Sequence, residues 1–104
     1  HPGGAVLAVP VADTLKRVDT TGRVTATESR AGLWAAQTPQ LCRYGALVAA
    51  LAGAGGAAIT DEAAALEAAG HHPRVVPGRR DNIKITWPAD LALAAAILAA
   101  QERA

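Results

Sequence analysis

Methionine and phenylalanine are absent from the chain, and Trp34, Tyr44 and Trp87 are its only aromatic residues. Three scattered rings do not make the stacking platform on which single-stranded nucleic acid is read. An excess of charge of one sign is also lacking. Ten basic and nine acidic residues leave a formal +1, which excludes the broad basic footprint of a nucleic-acid-binding protein. The single cysteine, Cys42, rules out an internal disulfide and suits a reducing, cytoplasmic setting. The longest uncharged run, residues 44–60, is interrupted by Gly45, Gly53, Gly55 and Gly56 and is short for a bilayer, so no membrane association is expected. His1-Pro2-Gly3-Gly4 carries neither the charged nor the apolar region of a secretory signal. With no methionine at position 1, we expect the later part of a longer protein.

What is present is globular in character: 104 residues, 51% hydrophobic and 18% charged, the size of one domain over residues 1–104. About a quarter of the chain is alanine. At roughly 25 cal/mol per Å² of buried apolar surface, such a core stabilises less than one built of leucine and phenylalanine.

Residues 4–11 form a nearly unbroken apolar run, which predicts a strand buried on both faces, although Pro10 argues against a central ladder position. Residues 13–30 turn polar, and Asp19-Thr20-Thr21-Gly22 is a turn signal between 14–18 and 23–27. Neither half of that hairpin has a continuous apolar face, so it is expected to project as an arm that embraces another subunit. A strand is expected over 33–38, stopped by Pro39. Helical spacing of Leu41, Tyr44, Leu47, Val48 and Leu51 predicts a helix over 40–52 with Gly53 as its C-cap. Residues 53–58 read as a flexible connection.

Thr60 is expected to cap a second helix with Asp61 and Glu62 in its first turn and Gly70 at its end. Short strands over 74–76 and 82–86 flank the basic loop Gly78-Arg79-Arg80. A last helix starts near Pro88, with Asp90 in its first turn and Leu91 and Leu98 facing inward. Alternating strands and helices make the fold class α/β.

No arrangement resembles a nucleophile with its base. Residues 53–56 lack the spacing of a nucleotide-cradling loop. His71 and His72 are adjacent and point opposite ways in extended chain, with no third ligand to make a zinc site. What remains are hydroxyls and cations at element ends: Thr14, Lys16, Arg30, Thr38, Thr60, Arg79, Arg80 and Lys84. Ionised donors beside threonines suit a phosphorylated ligand at the strand ends of an α/β sheet. Each also has an ordinary use, as a helix cap for Thr60 or a solvated hairpin residue for Lys16. Lys84 stands out because Ile83-Lys84-Ile85 alternates, placing the cation opposite an apolar face.

Five segments in order sharpen this reading: D-T-L-K-R-V at 13–18, S-R-A-G-L-W-A-A-Q-T-P-Q at 29–40, I-T-D-E-A at 59–63, D-N-I-K-I-T at 81–86, and then P-A-D-L-A-L-A. Their order and spacing resemble the C-terminal half of the 2-C-methyl-D-erythritol 4-phosphate cytidylyltransferase family, over essentially the whole chain. The resemblance implies the C-terminal portion of a Rossmann-like nucleotidyltransferase, with residues 13–30 as a projecting β-arm for homodimerisation. It implies a transfer of CMP from CTP to the sugar phosphate, with Mg²⁺ as cofactor and pyrophosphate released, in non-mevalonate isoprenoid biosynthesis. By motif, Thr14 and Arg30 on the arm would contact sugar phosphate held by the other subunit, and Thr38, Thr60 and Lys84 would line the same pocket from the body.

The family's glycine-rich CTP loop, its catalytic cations and its metal-holding acids precede these segments. No catalytic residue or metal ligand is therefore expected on these 104 residues, and alone they are expected to be inactive. Cys42 stands where the family usually has an aromatic. A ribitol-5-phosphate cytidylyltransferase, which shares the N-I-K-I-T type of ending, and a non-catalytic dimerising or phosphate-binding module are the alternatives.

Overall fold

The computed structural model describes residues 3–53 and 60–103. Its elements run β1 (Ala5–Pro10), β2 (Leu15–Val18), β3 (Val24–Glu28), β4 (Trp34–Leu41), α1 (Tyr44–Gly53), α2 (Glu62–Ala68), β5 (Arg74–Pro77) and α3 (Pro88–Glu102). β1 is the middle strand of a three-stranded sheet, antiparallel to β4 and parallel to β5. β2 and β3 form a separate two-stranded antiparallel sheet. The α/β expectation holds.

Pleating puts successive side chains of β1 on opposite faces. Val6 and Ala8 are buried, while Ala5, Leu7 and Val9 are only half-buried, so the strand is closed on one face and not on both. Pro10 takes the last ladder position, opposite Trp34, where a missing donor matters least. β4 does not stop at Pro39. It runs on to Leu41 across a register shift opposite Val6 and Ala8, and as an edge strand it can hold a residue with no N–H to donate.

The core is small and rich in alanine. Ala50 of α1 packs with Ala65 and Leu66 of α2, with Cys42, Ala46 and Leu47 half-buried around them. Gly4 lies beneath this cluster at φ +86°, where an added Cβ would meet Leu41 O at 3.0 Å and Leu66 Cδ1 at 3.1 Å. Cys42 is thus part of a tight junction.

Helix α1 starts at Tyr44, four residues later than expected, because β4 occupies Gln40 and Leu41. Gly53 is its last residue and not a cap beyond it; the rest of the expected connection, 54–58, lies outside the described residues. Asp61, not Thr60, caps α2, its carboxylate accepting from Ala64 N at 2.7 Å. Gly70 ends that helix at φ +92°, with His71 N donating to Leu66 O.

Residues 82–86 are not a strand. Beyond Pro77 the chain leaves the ladder and runs irregularly to Trp87, and the expected alternation survives only as two sides of an irregular segment. Asp90 starts α3 from its third position: its carboxylate accepts from Trp87 N (2.8 Å) and Thr86 N (2.9 Å). Those backbone donors, Trp87 first, hold the Asp90 carboxyl below the usual carboxylate range. Leu91 and Leu98 do not face a packed interior; they are 62% and 60% exposed. Leu98 instead lines an open apolar cleft of about 600 Å³ with Leu7, Ile83, Ile85 and Ile97.

The hairpin expectation is met at Asp19. Its carboxylate accepts from the Thr21 hydroxyl and from the backbone N–H groups of Thr21 and Arg23. The Thr21 hydroxyl contributes most to lowering its pKa, and Gly22 closes the turn at φ +86°. Side-chain links along the hairpin, Lys16 Nζ to Thr27 Oγ1 at 2.7 Å and Arg17 to Glu28, join its two strands to each other. The Cα radius of gyration of 16.7 Å exceeds the ~13 Å of a compact domain this size.

Candidate functional site

Three of the five expected site residues meet. Thr38 from β4, Thr60 from the residues before α2, and Lys84 from the irregular segment after β5 line one cavity of about 470 Å³. Gln37, Gln40, Asp61, Glu62, Asn82 and Ile83 complete most of its wall. The volume falls in the ~300–1,000 Å³ range of small-molecule sites.

Each wall has a local cause. Gln40 ties β4 to α2 by donating from Nε2 to Asp61 Oδ2 (2.8 Å) and accepting at Oε1 from Ala63 N (3.0 Å). Cap and latch together fix the start of α2 against the strand that carries Thr38. On the other side, Gln37 Nε2 donates to Arg79 O at 2.7 Å and Asn82 O at 3.2 Å, and Asn82 Nδ2 donates to Thr38 O at 2.7 Å. A strand, a helix start and a loop are thereby joined around one opening. Sequence reasoning missed Gln37, Gln40 and Asn82 as organisers; their signal was an amide side chain next to, or two residues from, Thr38 and Lys84 inside the motifs already singled out.

Thr14 and Arg30 do not line this cavity. They flank the hairpin, and Arg30 Nη1 donates to Ala12 O across its base. The other cations of the candidate set are engaged elsewhere. Arg79 forms a two-point ion pair with Asp81 (3.0 and 2.8 Å), which raises the guanidinium pKa and holds the Asp81 carboxyl below its ordinary value. Arg80 reaches Pro10 O at 3.3 Å, and Lys16 is on the hairpin with Thr27.

Chemically, the cavity offers one cation, two hydroxyls and amide groups, a donor set for a phosphorylated polyol. Among the described residues no three His, Cys, Asp or Glu side chains gather. Asp61, one of two carboxylates in the wall, already accepts from Gln40 and Ala64. No helix among the described residues is long and apolar enough to cross a membrane.

Comparison with known proteins bears on what this cavity belongs to. The model of the family described as 2-C-methyl-D-erythritol 4-phosphate cytidylyltransferase matches residues 1–100. The enzyme of that name from Nitrosospira multiformis is 59% identical over 95 residues, covering 91% of this chain and 41% of its own length. The crystal structure of a 4-diphosphocytidyl-2C-methyl-D-erythritol synthase superposes with a TM-score of 0.82 at 48% identity, over 93% of this chain and 43% of that one. The Francisella tularensis 2-C-methyl-D-erythritol 4-phosphate cytidylyltransferase gives the same TM-score at 40% identity, over 93% and 46%. The chain therefore spans less than half the length of the relatives it matches.

Proposed function

The chain belongs to the 2-C-methyl-D-erythritol 4-phosphate cytidylyltransferase family, and we propose that it supplies the sugar-phosphate side of that reaction. The observation that carries this reading is the convergence of Thr38, Thr60 and Lys84, from three separate segments, on one cavity. Lys84 pairs with the phosphate of methylerythritol phosphate, and the two threonines orient the polyol. A phosphate oxygen of the bound substrate then attacks the α-phosphorus of CTP. The new P–O–P bond forms as the bond to the leaving pyrophosphate breaks. Such transfer depends on positioning and on stabilising charge as it develops. Magnesium, when bound, would neutralise the triphosphate.

In the same reading residues 13–30 are a dimerisation arm, with Thr14 and Arg30 carried to the pocket of a second copy in a cytoplasmic homodimer. The hairpin's free-standing position and its two cross-strand links support this. Val11 N donates to Leu33 O at 3.0 Å, so the ends of the arm are adjacent and residues 13–30 can be deleted with a short closure. Sedimentation should show a dimer that dissociates more readily after that deletion, and a dimer indifferent to it would remove the arm from the proposal.

Calorimetric titration with methylerythritol phosphate tests the pocket. Lys84→Ala should weaken binding roughly tenfold or more, the worth of a hydrogen bond from a charged group, while Lys16→Ala leaves it unchanged. No binding by the unaltered chain, or equal binding after Lys84→Ala, would overturn the reading, and preference for ribitol 5-phosphate would reassign the substrate. With CTP added, the 104-residue chain is expected to release no pyrophosphate.

A further inference from the structure

Lys84 is the one cation in the cavity wall among the described residues, yet no strand holds it. β5 ends at Pro77, and the segment from Gly78 to Trp87 has no ladder of its own. We propose that Gln37 and Asn82 are positioning residues, an amide clasp that sets the place of Lys84 relative to Thr38; this rests on the sugar-phosphate reading above.

The geometry of the clasp is reciprocal. Gln37, on β4, donates both ways into the irregular segment, to Arg79 O and Asn82 O. Asn82, in that segment, donates back to Thr38 O. All three bonds run between the strand bearing Thr38 and the segment bearing Lys84, and Asn82 lies only two residues from Lys84. Gln37 Oε1 is buried with no hydrogen-bond partner. Reversing the amide would face that oxygen with two carbonyl oxygens, so the two donated bonds fix its orientation. Gly78 belongs to the same arrangement, since a Cβ there would collide with Gln37 Oε1.

A double-mutant cycle separates positioning through Lys84 from a general structural role or a direct contact. The readout is the affinity for methylerythritol phosphate in calorimetry. Gln37→Leu keeps the bulk and removes the donors. It should weaken binding about fivefold in the unaltered background, the worth of a hydrogen bond or two. In the Lys84→Ala background the same change should cost less than about twofold, and in the Thr60→Ala background it should keep its full effect. Asn82→Ala, which removes the other half of the clasp, should repeat the pattern if Gln37→Leu does not fold.

Equal losses in the Lys84→Ala and unaltered backgrounds would overturn the proposal. A second measurement needs no ligand: amide hydrogen exchange at Ile83, Lys84, Ile85 and Thr86 should quicken in Gln37→Leu while exchange in α2 does not change. Unchanged exchange in both segments would overturn the clasp whatever the affinities show. If Lys84→Ala itself leaves affinity intact, the sugar-phosphate reading falls, and quickened exchange would still show the clasp holding this segment.

Discussion

Helices α2 and α3 make opposite use of similar composition. α2 has seven residues and buries Ala63, Ala65 and Leu66. α3 has fifteen, eleven of them alanine, leucine or isoleucine, and buries none. Apolar content supplies a drive toward burial, but whether that drive is met depends on what the helix is fastened to. α2 is held at its start by Asp61 and Gln40 and at its end by the turn through Gly70, and its alanines let it approach α1 closely. α3 is fixed at its start by Asp90, and near its end Gln101 lines the same cleft as Asp81. Between those points Ala94, Ile97 and Leu98 stand over an open cleft.

The sharpest test of that difference is a pair of leucine truncations followed by urea denaturation. Leu66→Ala, at a site 2% exposed, should cost about 3 kcal/mol through lost burial and the cavity left behind. Leu98→Ala, at a site 60% exposed, should stay within about 0.5 kcal/mol. Equal losses at the two positions would erase the distinction between the helices. Next in size is Asp61→Ala, which removes both the cap of α2 and the partner of Gln40. It should lower stability by about 1 kcal/mol, and it should weaken the pocket through Thr60 even though Asp61 need not touch a ligand.

The smallest effect concerns acid. The folded-state pKa of Asp90 is lowered, so its contribution to α3 is complete above the ordinary carboxylate value near 3.9. That contribution is lost as pH falls through the lower folded value. Circular dichroism should show helix loss below about pH 4, and Asp90→Ala should flatten the part of that loss that belongs to α3. A titration curve unchanged by Asp90→Ala would mean that the cap does not tether the helix.

Where the sequence was legible, the signal was local. Asp19-Thr20-Thr21-Gly22 makes its turn from its own side chain and backbone, and Pro88 with Asp90 marks the start of α3 for the same reason. Thr38, Thr60 and Lys84 were legible through motifs whose order carried the family, and the fold brings all three to one cavity. What was not legible depends on partners distant in sequence. Thr60 looks like a cap until Gln40 is seen to meet Asp61, twenty-one residues away. Residues 82–86 alternate like a strand, but their polar links run to Gln37 and Thr38 in place of a neighbouring strand's ladder. Leu91 and Leu98 have helical spacing for a buried face, and spacing alone does not reveal whether anything stands opposite.

The hairpin described at the outset of the fold has a consequence for how this chain can change. Its cross-links run from one of its strands to the other, and they do not reach the six buried apolar residues that hold the body together among the described residues. Substitutions along it therefore leave the folding of the body nearly untouched. The sequence of the hairpin can therefore change separately from the stability of the body, with Val11 and Leu33 marking the seam between them.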